Sequence, residues 1–258
     1  MVFHTNAILA GSDIINLIDQ TDCLIKGRSI MANEKQYTLE FQAAQHLTQD
    51  YYEITLKAPA NFTWEPGQYT HFSLPDHEIE GKKQRALSFA SLPDEKHILL
   101  GTRTRQTPSS FKATFLGLAP GAPVVSDGPQ GEFLLPEADV PLVFFAGGVG
   151  ITPIRALIRA LTLSNRQQPY TLIYSSDDFY FFDDDFSTWA QQQAQFTYVK
   201  TQTVDQTHEQ LQSLVQTASA QTQYYLSSSP KIVQSMKEFL GTLAVDPEQI
   251  HLDQLYGY

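Results

Sequence analysis

Along residues 35–136, apolar positions recur in short alternating runs separated by turn residues, the pattern of half-buried strands. Residues 37–41 open the series. Tyr52, Ile54 and Leu56 then alternate with Glu53, Thr55 and Lys57, and Pro59 closes that run. Trp64-Glu65-Pro66-Gly67-Gln68 predicts a turn ahead of a strand over 69–74, and the charged stretch 76–83 predicts a loop. Further strand candidates are 86–90, 98–102, Val124-Val125 and 132–135, the last after the turn Gly128-Pro129-Gln130-Gly131. Residues 111–118 predict a short helix. Several short strands with one helix predict a small closed barrel.

After Val140 the pattern changes. An apolar run over 143–146 leads through glycines into a helix over 153–163, where Ile154, Leu157, Ile158 and Leu161 stand at i, i+3, i+4 and i+7 and Arg155 and Arg159 fall outside the stripe. Thr152 is the expected N-cap and Pro153 the first helical residue. Strands follow at 171–174, 196–199, 224–226 and 250–252. Helices are expected at 182–192, with Asp183, Asp184 and Asp185 suited to its first turn, at 208–217, and from Ser229-Pro230 through Leu240, where Val233, Met236 and Leu240 share a face. Alternating strands and helices predict a parallel sheet covered on both faces. The domains expected are 34–138 and 139–258, after an N-terminal extension, 1–33, of unknown role. In that extension Ile14, Ile15, Leu17 and Ile18 are interleaved by Asp13, Asn16 and Asp19, which reads as a short amphipathic helix.

Composition narrows the classes. With 17 Lys and Arg against 28 Asp and Glu, the net charge of −11 argues against nucleic acid and anionic membranes as partners. Cys23 is the only cysteine, so neither an intrachain disulfide nor a four-cysteine metal site can be built by this chain alone. No apolar run reaches membrane-spanning length and no signal-peptide pattern opens the chain, so a cytoplasmic location is expected. No metal-ligand spacing and no nucleophilic triad appear.

The chemistry concentrates at Gly147-Gly148-Val149-Gly150-Ile151-Thr152-Pro153. A strand, a tight turn and a helix start can present backbone N–H groups to an anion. The same glycines also suit a plain strand-to-helix turn that packs closely. The spacing is neither G-x-G-x-x-G nor a P-loop. Three upstream pieces bear on the choice: Arg85-Ala86-Leu87-Ser88, Thr107-Pro108-Ser109-Ser110-Phe111-Lys112, and the turn at Gly128.

Taken in order from about residue 35 to the ending Leu255-Tyr256-Gly257-Tyr258, these pieces resemble the ferredoxin–NADP reductase superfamily. The resemblance implies an antiparallel flavin-binding β-barrel followed by a doubly wound parallel α/β domain that binds NAD(P)H. It sets Arg85, Ala86, Leu87 and Ser88 on the family's Arg-x-Tyr/Phe-Ser flavin motif, with Arg85 on flavin phosphate, Leu87 in place of the usual aromatic, and Ser88 close to the reactive N5 edge. Ser109 and Ser110 resemble a second phosphate-binding loop. Gly147, Gly148, Gly150, Thr152 and Pro153 match Gly-Gly-x-Gly-x-Thr-Pro, which implies nicotinamide and ribose there and Thr152 near the hydride-transfer geometry. Ser176 and Asp177 stand where related reductases often carry an arginine for the NADPH 2′-phosphate. Two carboxylates, Asp177 and Asp178, instead favour NADH. Ser228 and Ser229 replace a Gly-Pro pair, and Ser227 stands where many members have Cys or Ala. In the tail, Asp253 replaces a glutamate and Leu255 an aromatic, and Tyr256 or Tyr258 is placed near the flavin.

The function implied is a flavin-dependent NAD(P)H oxidoreductase that passes hydride from nicotinamide to flavin N5 and then electrons to an acceptor such as a redox protein. FAD is the expected cofactor and FMN the alternative; Ser88, Thr152 and Asp253 are the catalytic candidates. The rival reading, motivated by Leu87 and the run Ser227-Ser228-Ser229, is a flavin- or nucleotide-binding regulatory or structural subunit without efficient hydride transfer.

Overall fold

The computed structural model describes residues 36–104 and 107–255. The extension 1–33, with its apolar cluster at Ile14 and its lone Cys23, and the tail residues Tyr256 and Tyr258 lie outside the described residues.

Six strands form an antiparallel sheet: β1 Tyr37–Thr48, β2 Tyr51–Lys57, β3 Tyr69–Ser73, β4 Gln84–Ser88, β5 Ile98–Arg103 and β6 Pro123–Ser126, in the order β4-β3-β6-β1-β2-β5. The alternation read in β2 holds: Ile54 and Leu56 are fully buried, in one core with Leu39, Phe41, Ile98 and Leu100. The helix α1, Ser110–Leu116, plugs that core with Phe111 and Phe115. The sheet curls into a barrel whose two end strands, β4 and β5, are not joined by a full ladder. Just past β4, Ala90 N–H donates to the Leu99 carbonyl at 2.8 Å, and the buried Ser91 hydroxyl accepts from Leu99 N–H at 2.9 Å while donating to the His97 carbonyl at 2.8 Å. A side chain thus takes over bonds that a closed barrel gives to backbone.

Residues 132–135, expected as a strand, are not one. Pairing ends at the Tyr69–Gln130 bridge, and Phe133 and Leu135 then turn their side chains into the core of the second sheet. Apolar content there serves the junction between the sheets.

The second sheet is wholly parallel: β7 Leu142–Gly147, β8 Tyr170–Ser175, β9 Phe196–Thr201, β10 Gln223–Ser228 and β11 Ile250–Gln254, in the order β11-β10-β7-β8-β9. Both faces are buried, so β7 reads as a continuous apolar run. Leu142, Phe144 and Ala146 face α2 (Ile151–Leu163) and α3 (Asp183–Gln192), while Val143 and Phe145 face α4 (Val204–Thr217) and α5 (Pro230–Thr242). Helix α4 begins four residues earlier than the sequence pattern suggests, because Thr203 caps it by accepting from Gln206 N–H at 3.2 Å. Both sheets belong to one compact unit. Tyr51 of the barrel is fully buried within the second sheet's core. No helix among the described residues is long and apolar enough to cross a membrane.

Candidate functional site

From β7 the chain first builds β8 and β9 on one side, then returns to build β10 and β11 on the other. The carboxyl ends of β7 and β10 therefore flank a switch point, where open α/β sheets leave a crevice. A cavity of about 690 Å³ opens there. Its walls are Gly147, Gly148 and Val149 after β7, Ser175, Ser176 and Asp177 after β8, and Ser228, Ser229 and Ile232 after β10. Helices α2, α4 and α5 all start at this edge of the sheet, so three positive helix ends converge on it.

The glycines of the turn divide by role. A Cβ on Gly150 would lie 2.0 Å from the Ser227 carbonyl oxygen, and one on Gly147 would lie 2.3 Å from the Ser228 hydroxyl. These two let the turn press against the end of β10. Gly148 differs: its φ is +54° and nothing stands within 4 Å of its Cβ position, so it faces open cavity. The turn is a single 3-10 turn, Gly148–Gly150, running directly into α2. Thr152 and Pro153 consequently lie within the first turn of the helix, and the expected N-cap at Thr152 is corrected to Gly150. The Thr152 hydroxyl donates to the Val149 carbonyl at 2.8 Å and faces Gly101 of the barrel. Both Thr152 and Pro153 are buried and neither lines the cavity.

The serines at the end of β10 are built into this arrangement. Ser228 donates to the Gly147 carbonyl at 3.2 Å, and Ser227 donates to the Asp253 carboxylate at 2.9 Å from the neighbouring strand β11. Burial pushes the Asp253 carboxyl up to about 6, against the lowering effect of the Ser227 hydrogen bond. Leu255 closes the cavity beside them, its N–H bonded to the Ser228 carbonyl at 3.0 Å.

Barrel residues form the remaining wall. Asp50, Tyr51 and Arg103 line the cavity, and no local pattern or motif points to them. The Tyr51 hydroxyl donates to Asp178 at 2.6 Å, and Arg103 bridges Asp50 and Asp178. For Asp178, burial raises the carboxyl, but the Tyr51 bond and the Arg103 charge outweigh it and hold the group below its ordinary value. Asp178 therefore turns its carboxylate to the barrel, while Asp177 is exposed on the cavity wall. Ser176 is buried at its base and accepts from Phe179 N–H at 3.4 Å. A second tie between the sheets is Arg155, which lies off the apolar stripe yet is only 7% exposed: it donates to the Ala90 carbonyl at 2.6 Å and pairs with Asp185 at 2.7 Å.

Comparison with known proteins bears on both sheets. The oxidoreductase NAD-binding domain family matches residues 144–234. A ferredoxin NADP+ reductase from Neisseria gonorrhoeae, solved with bound FAD and NADP, superimposes with a TM-score of 0.68 at 17% identity over 85% of this chain and 98% of its own. The chain has a ferredoxin–NADP reductase-like fold. Among relatives by sequence, the toluate 1,2-dioxygenase electron transfer component of Pseudomonas putida is 28% identical over 60% of this chain and 47% of its own length. The propane 2-monooxygenase reductase component of Mycolicibacterium goodii is 25% identical over 83% of this chain and 66% of its own. The chain thus spans about half to two thirds of these relatives.

Within this ferredoxin–NADP reductase-like fold the barrel candidates gather at a separate place; none of them lines the cavity. The Arg85 guanidinium lies 5.7 Å from the ring centroid of Phe111, on the helix that Ser109 and Ser110 begin. Its Nη1 donates to the Lys82 and Gln84 carbonyls at 2.8 and 2.9 Å. The Ser109 hydroxyl accepts from Lys112 N–H at 3.3 Å and that of Ser110 from Glu80 N–H at 3.1 Å, so both also serve local structure. Ala86 is exposed, Leu87 is buried in the barrel core and Ser88 is buried at 6% exposure. An arginine packed on a helix that opens with two hydroxyls suits a phosphate-bearing group. The strand supplies no aromatic for ring stacking at Leu87.

Proposed function

We propose that the chain is a flavin-dependent NAD(P)H oxidoreductase, with residues 34–138 as the flavin half and 139–258 as the nicotinamide half. The observation that carries the reading is the switch-point cavity, walled by a glycine turn whose Gly148 faces open space and by three converging helix starts. The match to an NAD-binding family over 144–234 supports it.

FAD is the cofactor favoured, with FMN the alternative. Arg85 would hold its phosphate together with Ser109 and Ser110, and Ser88 would lie towards the ring edge. A bound flavin would supply a hydride acceptor for nicotinamide and a route for electrons onward. Gly148 lets the nicotinamide approach the backbone, Gly147 and Gly150 let the turn press against the end of β10, and Thr152 and Pro153 back that turn. Asp253, held by Ser227, keeps a proton on its carboxyl in acid and releases it near neutrality. The Ser227-Ser228-Ser229 run, which motivates a regulatory subunit, is matched to the glycines it packs on, and this favours the reductase. NADH is the preferred donor because Asp177 stands exposed on the cavity wall. The acceptor is a redox protein, in keeping with relatives that are electron transfer and reductase components.

Mass measurement of cofactor released from the purified chain tests this directly. The expected result is FAD in near one-to-one amount. A colourless protein that takes up neither FAD nor FMN removes the proposal.

A further inference from the structure

Among the described residues lining the cavity, Arg103 is the only cation, and it belongs to the barrel. Its Nε donates to both oxygens of Asp50, at 2.9 and 3.0 Å, and one Nη donates to Asp178 at 3.0 Å. The other Asp178 oxygen accepts from Tyr51, whose ring lies 4.6 Å beneath the guanidinium carbon. Tyr51 itself is fully buried between Phe179 and Phe181. The loop after β8 is therefore clamped by two residues from the other half of the molecule. Arg103 is about one-third exposed, so these ion pairs add little stability. Their consequence is electrostatic: the cavity's cation among the described residues already faces two carboxylates, while Asp177 adds an exposed negative charge on the same wall.

We propose that Asp178, held in place by Tyr51 of the barrel, sets discrimination against a 2′-phosphate on the adenosine ribose of the dinucleotide by engaging Arg103. The inference rests on the dinucleotide reading of the cavity and deepens it. A 2′-phosphate entering beside Ser175, Ser176 and Asp177 needs a cation, and an arginine fork is the fitting partner. Arg103 can present its whole fork to the phosphate only by leaving Asp50 and Asp178, and Tyr51 holds Asp178 in place. Asp177 repels the phosphate directly; Asp178 withholds the group that would bind it. Selectivity is then a property of both halves of the molecule together.

The test uses the full chain and two probes that need neither flavin nor hydride transfer, 5′-AMP and 2′,5′-ADP, titrated calorimetrically. Wild type is expected to favour 5′-AMP. Asp178→Asn, which keeps an acceptor for Tyr51 but drops the charge, is expected to shift the ratio toward 2′,5′-ADP by about tenfold or more, the size of one charged hydrogen bond. Arg103→Gln is expected to shift it the opposite way, and the double variant to show no gain. Circular dichroism and melting check that each variant folds, and the opposite signs of the two single variants keep the test decisive if one does not. An unchanged ratio in Asp178→Asn, or a gain that survives without Arg103, overturns the proposal. A wild type that binds neither 5′-AMP nor NADH instead overturns the dinucleotide reading on which it stands.

Discussion

Substituting Gly150 and Gly148 separately by alanine asks whether this turn is built for packing or for a ligand. At Gly150 the new methyl carbon would lie 2.0 Å from the Ser227 carbonyl oxygen, 2.5 Å from its carbon and 2.9 Å from Ser228 N, where ordinary contact begins at 3.4 Å. All three are backbone atoms in a parallel sheet, so no side chain can swing aside. The turn and β10 must separate by more than an ångström, at the upper end of overpacking costs, about 3 kcal/mol. For a chain of this size that is a fall in Tm of roughly 6–12 °C. At Gly148 the methyl meets nothing within 4 Å, and the cost is the left-handed φ of +54°, about 1 kcal/mol and roughly 2–4 °C. That methyl enters the cavity, so NADH affinity is expected to fall about tenfold. Scanning calorimetry and NADH titration on both variants measure the contrast. If Gly150→Ala melts within about 3 °C of wild type, or if Gly148→Ala is the less stable of the two, the division of roles is wrong.

Other substitutions probe the rest of the site. Because burial raises the folded Asp253 carboxyl to about 6, its contribution to stability is fully present below the ordinary carboxylate value and is lost as pH rises through the folded one. Asp253→Asn removes that dependence, so its Tm relative to wild type should climb between about pH 4 and 7, on the order of 2 kcal/mol in stability; a pH-independent difference would contradict the shift. Arg155→Met strands the Ala90 carbonyl and Asp185 at the junction of the sheets and is expected to cost about 3 kcal/mol, read by urea unfolding. A loss under about 1 kcal/mol would show the tie to be dispensable. Arg85→Ala is expected to reduce flavin retention on gel filtration about tenfold, and unchanged retention removes its phosphate role.

The two-part architecture was legible because each part has its own period. Tyr52, Ile54 and Leu56 alternate since one face of β2 meets water, whereas Val143, Phe144 and Phe145 run together since β7 is buried on both faces. What local pattern could not show is where the parts meet. Phe133 and Leu135 read as strand because they are apolar, but they pack on the other sheet. Arg155 reads as surface because its partners at Ala90 and Asp185 are distant in sequence. Asp50, Tyr51 and Arg103 carried no motif, and they enter the cavity wall only because the β1–β2 turn and the end of β5 are pressed against the loop after β8. The start of α4 was readable in principle, from Thr203 followed three residues later by Gln206. The glycine turn carries its own local signal, while Ser227 stands where the resembled family has Cys or Ala; the close approach of Gly150 to the Ser227 carbonyl shows the two segments fitted to each other.

On the proposed function, this cavity delivers hydride from a nicotinamide to a flavin held by the barrel. Rapid anaerobic mixing of the flavin-loaded chain with NADH, and separately with NADPH, tests it most directly. The expected result is bleaching of flavin absorbance by both donors, faster and at lower concentration with NADH. A flavin that binds but stays oxidised with either donor would contradict the claim and leave a cofactor-binding subunit in its place.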